Sequence, residues 1–133
     1  MYGREFYDII LERFLENSVE ECMDISTNEF NRYDIISVKG RIDSFTAPKL
    51  SEVINNITDI GKYNIILNLS NVDYVSSAGL RVMIDTQKTC KQLSRGELVL
   101  VGVPKRIFDT LELAGFVPLF KFYNNDAEAA GSF

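Results

Sequence analysis

The chain contains no histidine among its 133 residues, and that absence removes more chemistry than any residue present supplies. Ser-His-Asp and Cys-His catalysis, His-ligated zinc and imidazole proton shuttling near neutral pH all need the missing side chain. Carboxylates are present for acid/base work, but no paired motif singles two of them out. No catalytic residue, metal ligand or cofactor is therefore expected, and binding is the default. Cysteine is nearly as scarce: Cys22 and Cys90 lie far apart in segments with ordered patterning, which is neither a disulfide framework nor a metal spacing. Both read as reduced, buried or half-buried thiols. Positive charge is in deficit, with 14 Lys and Arg against 19 Asp and Glu and a formal charge of −5. Such a chain has no field to hold phosphate backbones or anionic lipid, so neither nucleic acid nor a membrane is an expected partner. No apolar run approaches the roughly 18 residues that span a bilayer. Acidic residues also stand near the N-terminus, where a secretory signal is basic. The expected location is the cytoplasm.

What is present is material for a core. At 46% hydrophobic residues, a chain of this length is expected to form one compact domain, and no internal repeat, linker or low-complexity segment interrupts it. Near the N-terminus Tyr7, Ile10, Leu11 and Phe14 recur at i, i+3, i+4 and i+7, opposite Arg4, Glu5, Asp8, Glu12 and Glu16. This predicts an amphipathic helical extension over residues 1–20, ahead of a domain over residues 21–133. Its apolar stripe must lie against its own domain or against a second copy of the chain, and a homodimer through this helix stays open.

Met23, Ile25 and Thr27 alternate with polar neighbours, and the run 34–38 follows Asn31 and Arg32, which predicts a strand pair around a turn. Pro48 suits a helix's first turn, and Leu50, Val53, Ile54 and Ile57 keep helical spacing until Gly61, giving a helix over about 48–58. The nearly continuous apolar run 65–69 reads as a short central strand covered on both faces. A helix over 78–93 follows, carrying Leu80, Met83, Ile84 and Cys90 and stopped by Gly96. The run 98–101 gives another buried strand, and Pro104 opens a helix with Ile107, Phe108, Leu111 and Ala114 as its stripe up to Gly115. A final strand near 119–122 and a frayed Ala-rich tail complete the chain. Strands alternating with helices imply right-handed crossovers and an α/β fold, a mixed, mostly parallel sheet of four to five strands with helices packed on it.

One place asks for chemistry. Residues 71–82 join the best strand to the longest helix, and open parallel sheets place ligands and partners at such ends. The plain reading is that Ser76 or Ser77 caps the helix and Gly79 lets it approach the sheet closely. The turn of Gly102, Val103 and Pro104 has too few glycines and no Lys-Ser/Thr for a phosphate loop.

The surroundings of these serines carry a resemblance. Gly40-Arg41-Ile42-Asp43, followed by Thr46 and Ala47, resembles the Gly-x-Leu/Ile-Asp segment and nearby Thr-Ala of STAS domains, the fold of bacterial anti-sigma factor antagonists. Asn68-Leu69, then Ser76, Ser77, Ala78, Gly79 and Leu80, are similar to that family's Asn-Leu and Asp-Ser-Ser-Gly-Leu signature, and residues 98–116 resemble its last strand and helix. The resemblance covers residues 24–123 and implies a STAS-like sandwich, with the N-terminal helix as an addition.

The resemblance further implies a partner-switching regulator and not an enzyme. The unmodified antagonist binds an anti-sigma factor serine kinase and frees the sigma factor, phosphorylation releases it, and a serine phosphatase resets it. Ser77 aligns with the phosphoacceptor; Ser76 stands where many members have Asp, and Ala78 where a second Ser or Thr is frequent. Asp43, Ser44, Thr46, Ser76, Ala78, Gly79 and Arg81 are the expected partner-binding neighbours. Asp43 is implied to lie beside Ser77, where it accepts a hydrogen bond from the hydroxyl or repels the phosphate; its plain alternative is a turn residue capping the helix after Thr46. Arg81 projects outward to a partner, a phosphate or solvent. A constitutive STAS scaffold or subunit of a signalling or lipid-transport assembly, not switched by phosphorylation, is the alternative. A small enzyme or ligand carrier would need an apolar pocket with convergent polar groups.

Overall fold

The computed structural model describes residues 23–93 and 96–133. The helix expected over residues 1–20, and Cys22 with it, lie outside the described residues. Strands β1 (Met23–Glu29) and β2 (Asp34–Ile42) form the expected antiparallel pair, with Met23 opposite Gly40 and Glu29 opposite Asp34. Helix α1 (Ala47–Asp59) buries Leu50, Ile54 and Ile57 at helical spacing, with Pro48 in its first turn. It ends at Gly61, whose φ of 84° lets the Gly61 N–H reach the Thr58 carbonyl and the Lys62 N–H reach the Ile57 carbonyl. That pair of bonds satisfies carbonyls the helix would leave open, in a backbone conformation that favours glycine.

Strand β3 (Asn64–Val75), helix α2 (Ser77–Leu93), strand β4 (Glu97–Val101) and helix α3 (Lys105–Leu113) follow. A 3-10 turn over Val117–Leu119 leads to strand β5 (Lys121–Tyr123) and helix α4 (Asp126–Ala130). The sheet order is β1-β2-β3-β4-β5, antiparallel at the first pairing and parallel at the other three. A STAS-like mixed sheet with helices packed on it is thus the observed architecture.

The core lies mainly on one face. Ile36, Val38 and Ile42 of β2, Ile65, Leu67 and Leu69 of β3, and Leu98 and Leu100 of β4 pack against Leu50 and Ile54 of α1, Met83 of α2, and Ile107 and Leu111 of α3. The smaller opposite layer joins Ile35, Ile66, Val99 and Val101 to Ala129 of α4, with Tyr33, Tyr123 and Phe133 around it.

Four expectations are corrected. The central strand runs twelve residues to Val75, well past residue 69. Its pairing with β2 shifts twice, so that Ser37 faces Asn68 but Lys39 faces Asn71, and Gly40 faces Val72 but Arg41 faces Tyr74. Each shift inserts one extra residue into β3, so the buried positions after Leu69 fall at Val72 and Val75, three apart instead of two. The Ala-rich tail is not frayed. Asn125 accepts the Glu128 N–H at 2.9 Å, Glu128 Oε2 accepts the Asn124 N–H at 3.3 Å, and Asp126 Oδ1 accepts from Asn68 Nδ2 at 2.9 Å, which caps α4 and ties it to β3. The last strand begins at Lys121, and residues 117–119 form the 3-10 turn instead. Ala114, expected in the stripe of α3, is exposed as its C-cap.

Two buried polar devices were not read from the sequence. Gln87 of α2 donates to the Leu98 and Leu119 carbonyls at 3.1 and 2.7 Å and accepts the Leu98 N–H at 2.8 Å. Strand β5 first pairs at Val99, so the Gln87 amide completes the ladder where that strand has not yet begun. Asp34, fully buried at the start of β2, accepts from Lys62, whose ammonium also reaches the Phe30 carbonyl at 2.9 Å.

Candidate functional site

The ends of β2 and β3 carry the corner. Ile42 is paired with Val75, and the Ile42 carbonyl accepts the Ser76 N–H at 2.8 Å. This one bond brings the turn after β2 against the start of α2. The Ser76 carbonyl accepts the Leu80 N–H at 2.9 Å, and its Oγ accepts a long bond from the Gly79 N–H at 3.4 Å. Ser76 is therefore the cap and Ser77 the first helical residue, one position earlier than the expected start at 78.

Gly79 is buried and sets how near the helix lies. A Cβ there would stand 2.7 Å from Ile42 Cγ2, 2.9 Å from Val75 Cγ1 and 3.2 Å from the Ile42 carbonyl oxygen. The close approach read from the sequence is thus a geometric necessity. Ala78 is half-buried against the core, whereas Ser77 is exposed and, among the described residues, no hydrogen bond engages its hydroxyl.

The facing turn is built on Asp43 and Thr46. Asp43 Oδ1 accepts from the Phe45 N–H at 2.9 Å and the Thr46 N–H at 3.1 Å, while its carbonyl accepts the Ala47 N–H at 2.8 Å. The buried Thr46 hydroxyl donates to the Arg41 carbonyl at 2.8 Å and accepts the Asp43 N–H at 2.9 Å. Partial burial acts to raise the Asp43 carboxyl, but the Thr46 and Phe45 amides, the Thr46 hydroxyl and the Arg41 guanidinium together outweigh it and hold the group below its ordinary value. The carboxylate is thus engaged by its own turn, and the expected bond from the Ser77 hydroxyl is absent among the described residues. Asp43 takes the plainer of its two roles, capping the chain into α1.

The structure therefore brings Asp43, Ser44, Thr46, Ser76, Ser77, Ala78 and Gly79 to one corner, with Arg81 one turn further along α2. Ser44, Ser77 and Arg81 are exposed, while Thr46 and Gly79 are buried and shape the surface from beneath. Arg81 Nε lies 4.0 Å from Asp85 Oδ2 on the open face of the helix.

Three more residues belong here. Phe45 stands 75% exposed between Ser44 and Thr46. The Arg41 guanidinium sits 4.6 Å above the Tyr74 ring, with its Nε 3.7 Å from Asp43 Oδ2. Tyr74 faces Arg41 only through the shifted β3 register, which the sequence pattern does not show. Phe45 did have a signal: a lone aromatic inside an otherwise polar turn has no stripe to join.

Chemically, the corner offers an uncharged hydroxyl at the positive end of a helix, suited to carrying an anion. Among the described residues, no group of three or more Cys, Asp or Glu side chains is placed to hold a metal ion. A cavity of about 360 Å³ lined by Asn31, Arg32, Lys62, Tyr63, Asn64 and Phe133 lies at the opposite end of the strands. Among the described residues, no helix is long and apolar enough to cross a membrane.

The family model for the STAS domain matches residues 24–129. BtrV, a candidate anti-sigma factor antagonist of Bordetella bronchiseptica, is 31% identical over 111 residues, covering 84% of this chain and 95% of its own length. The anti-sigma-B factor antagonist of Staphylococcus aureus is 33% identical over 97 residues, 73% of this chain and 89% of its own. Among solved structures, the Bacillus cell fate determinant SpoIIAA in the phosphorylated form shares the fold with a TM-score of 0.67 at 14% identity, covering 82% of this chain and 98% of that one. With the matched span running from β1 into α4 and the motif residues gathered at a single corner, the chain belongs to the STAS domain family.

Proposed function

We propose that the chain is an anti-sigma factor antagonist of the cytoplasm, working by binding and not by catalysis, and switched at Ser77. The unmodified corner docks on an anti-sigma factor serine kinase, which releases its sigma factor. The kinase then transfers the γ-phosphoryl group of ATP to Ser77 Oγ, with ADP leaving and the hydroxyl proton lost, and a serine phosphatase hydrolyses the ester to reset the protein. The observation that carries this reading is the position of Ser77, exposed as the first residue of α2 while Thr46 and Gly79, which shape the corner, are buried. Both relatives above are named as anti-sigma factor antagonists, and SpoIIAA has a solved structure in a phosphorylated form.

The physical consequence is asymmetric. Phosphate adds about −1.5 to −2 charges where the helix dipole and its unpaired N–H groups favour an anion, so the domain stays folded. A partner surface fitted to a neutral hydroxyl must instead desolvate the dianion, and a loss of about 3 kcal/mol weakens binding roughly a hundredfold. Phe45, aromatic and held in water by the Asp43 turn, supplies an apolar anchor next to the switch.

The test is incubation of the purified chain with ATP and the anti-sigma-type serine kinases of its own host. One phosphate mapped to Ser77, and none on Ser77→Ala, is the expected result. No modification by any of them, with Ser77→Ala binding the same partners as the parent, overturns the switch in favour of a constitutive scaffold.

A further inference from the structure

We infer that Arg81 is the internal counter-ion of phosphorylated Ser77, exchanging its present partner Asp85 for the phosphate when the switch is thrown. The inference rests on Ser77 being the modified residue. Ser77, Arg81 and Asp85 are spaced i, i+4, i+8 along α2, so Arg81 has one neighbour four residues back and another four residues on, on the same helix face. Helical side chains lean toward the N-terminus, so the Arg81 guanidinium can swing back to Ser77 from its present place beside Asp85. Its present contact is slight: Nε and Oδ2 are 4.0 Å apart, with side chains 84% and 65% exposed. Exposed pairs of this kind contribute little to stability and release easily.

The phosphate outcompetes Asp85 on three counts. It carries up to twice the charge of a carboxylate, presents three acceptor oxygens to the guanidinium fork, and is held at the helix end by the dipole. The dipole's roughly half-unit positive charge at the N-terminus opposes the approach of Arg81, and the dianion exceeds it about fourfold. The charged groups on the abutting turn do not supply the same contact, because Asp43 is committed to the Phe45 and Thr46 amides and Arg41 is held between Tyr74 and Asp43. Phosphorylation would then do two things to the surface: add an anion and withdraw a cation that the unmodified corner presents.

The test needs no kinase. Phosphoserine is installed at position 77 during translation, and the phosphate is titrated by phosphorus NMR in the parent, in Arg81→Gln and in Asp85→Asn. The second ionisation, near 6 for free phosphoserine, is expected roughly 0.3–0.7 unit lower in the parent than in Arg81→Gln. Asp85→Asn, which frees Arg81, should lower it slightly further, and circular dichroism should show all three folded because the substituted side chains are exposed. Ionisation unchanged by Arg81→Gln overturns the inference while leaving the switch reading intact. Failure of any kinase to modify Ser77 would instead sink the switch reading and leave this titration standing.

Discussion

Replacing Gly79 with alanine tests the corner's geometry. The added methyl would stand 2.7 Å from Ile42 Cγ2 and 2.9 Å from Val75 Cγ1, closer than carbon atoms approach, and both neighbours are buried and cannot swing into solvent. Either α2 lifts from the sheet or the two side chains leave their rotamers, and overpacking of this kind costs about 1–3 kcal/mol. Alanine's better helix propensity returns at most about 1 kcal/mol, and less in a first turn. The net expectation for Gly79→Ala is a loss of about 0.5–2 kcal/mol, a fall in Tm of roughly 2–8 °C. Lifting α2 would also stretch the Gly79 N–H to Ser76 Oγ bond, already 3.4 Å, and displace Ser77, so partner affinity should fall together with stability. Thermal unfolding followed by circular dichroism, with Gly79→Ser as a second variant of similar bulk, gives the reading. A Tm equal to or above that of the parent for both would refute the close approach as the reason for glycine here.

Gln87→Leu keeps the side-chain volume but strands the Leu98 N–H and carbonyl and the Leu119 carbonyl, so chemical denaturation should show a loss of about 2–4 kcal/mol with an unchanged m value. A loss below about 0.5 kcal/mol would mean that water takes over those groups. Because the folded-state Asp43 carboxyl sits below its ordinary value of 3.8, its contribution is complete above that pH and disappears as pH falls through the lower folded-state value. The stability gap between the parent and Asp43→Asn should therefore be constant above pH 3.8 and close below it, and a gap independent of pH would contradict the turn network. Burial pushes the Cys90 thiol up to about 11, so in peptide mapping after alkylation at about pH 8, where only about one thiol in a thousand is ionised, Cys90 should stay unmodified until denaturant is added.

The legible parts of the fold were those whose periodicity is unbroken. The α1 stripe of Leu50, Ile54 and Ile57 could be read directly, because it follows one repeat from end to end. The far half of β3 could not, since two inserted residues change the burial spacing from two to three between Leu69 and Val75. Helix α4 is too short to show a stripe, and its tie to β3 runs from Asp126 to Asn68, some sixty residues earlier. At the corner most of the residue set was visible in the sequence, Arg41, Phe45 and Tyr74 apart, but the division of labour within it was not. That Thr46 and Gly79 work from below while Ser44, Phe45, Ser77 and Arg81 meet solvent follows from strand pairing and burial, which spacing alone does not encode. The Asp34–Lys62 pair is likewise a long-range contact with no local signature.

The most direct measurement is a calorimetric titration of one partner kinase with the unmodified chain and with the chain carrying phosphoserine at 77, alongside the Tm of each. Affinity lower by about a hundredfold with a Tm equal or higher is the expected result. Equal affinities, or a lost affinity accompanied by a collapsed Tm, would contradict the view that charge at this corner turns docking off while the scaffold stands.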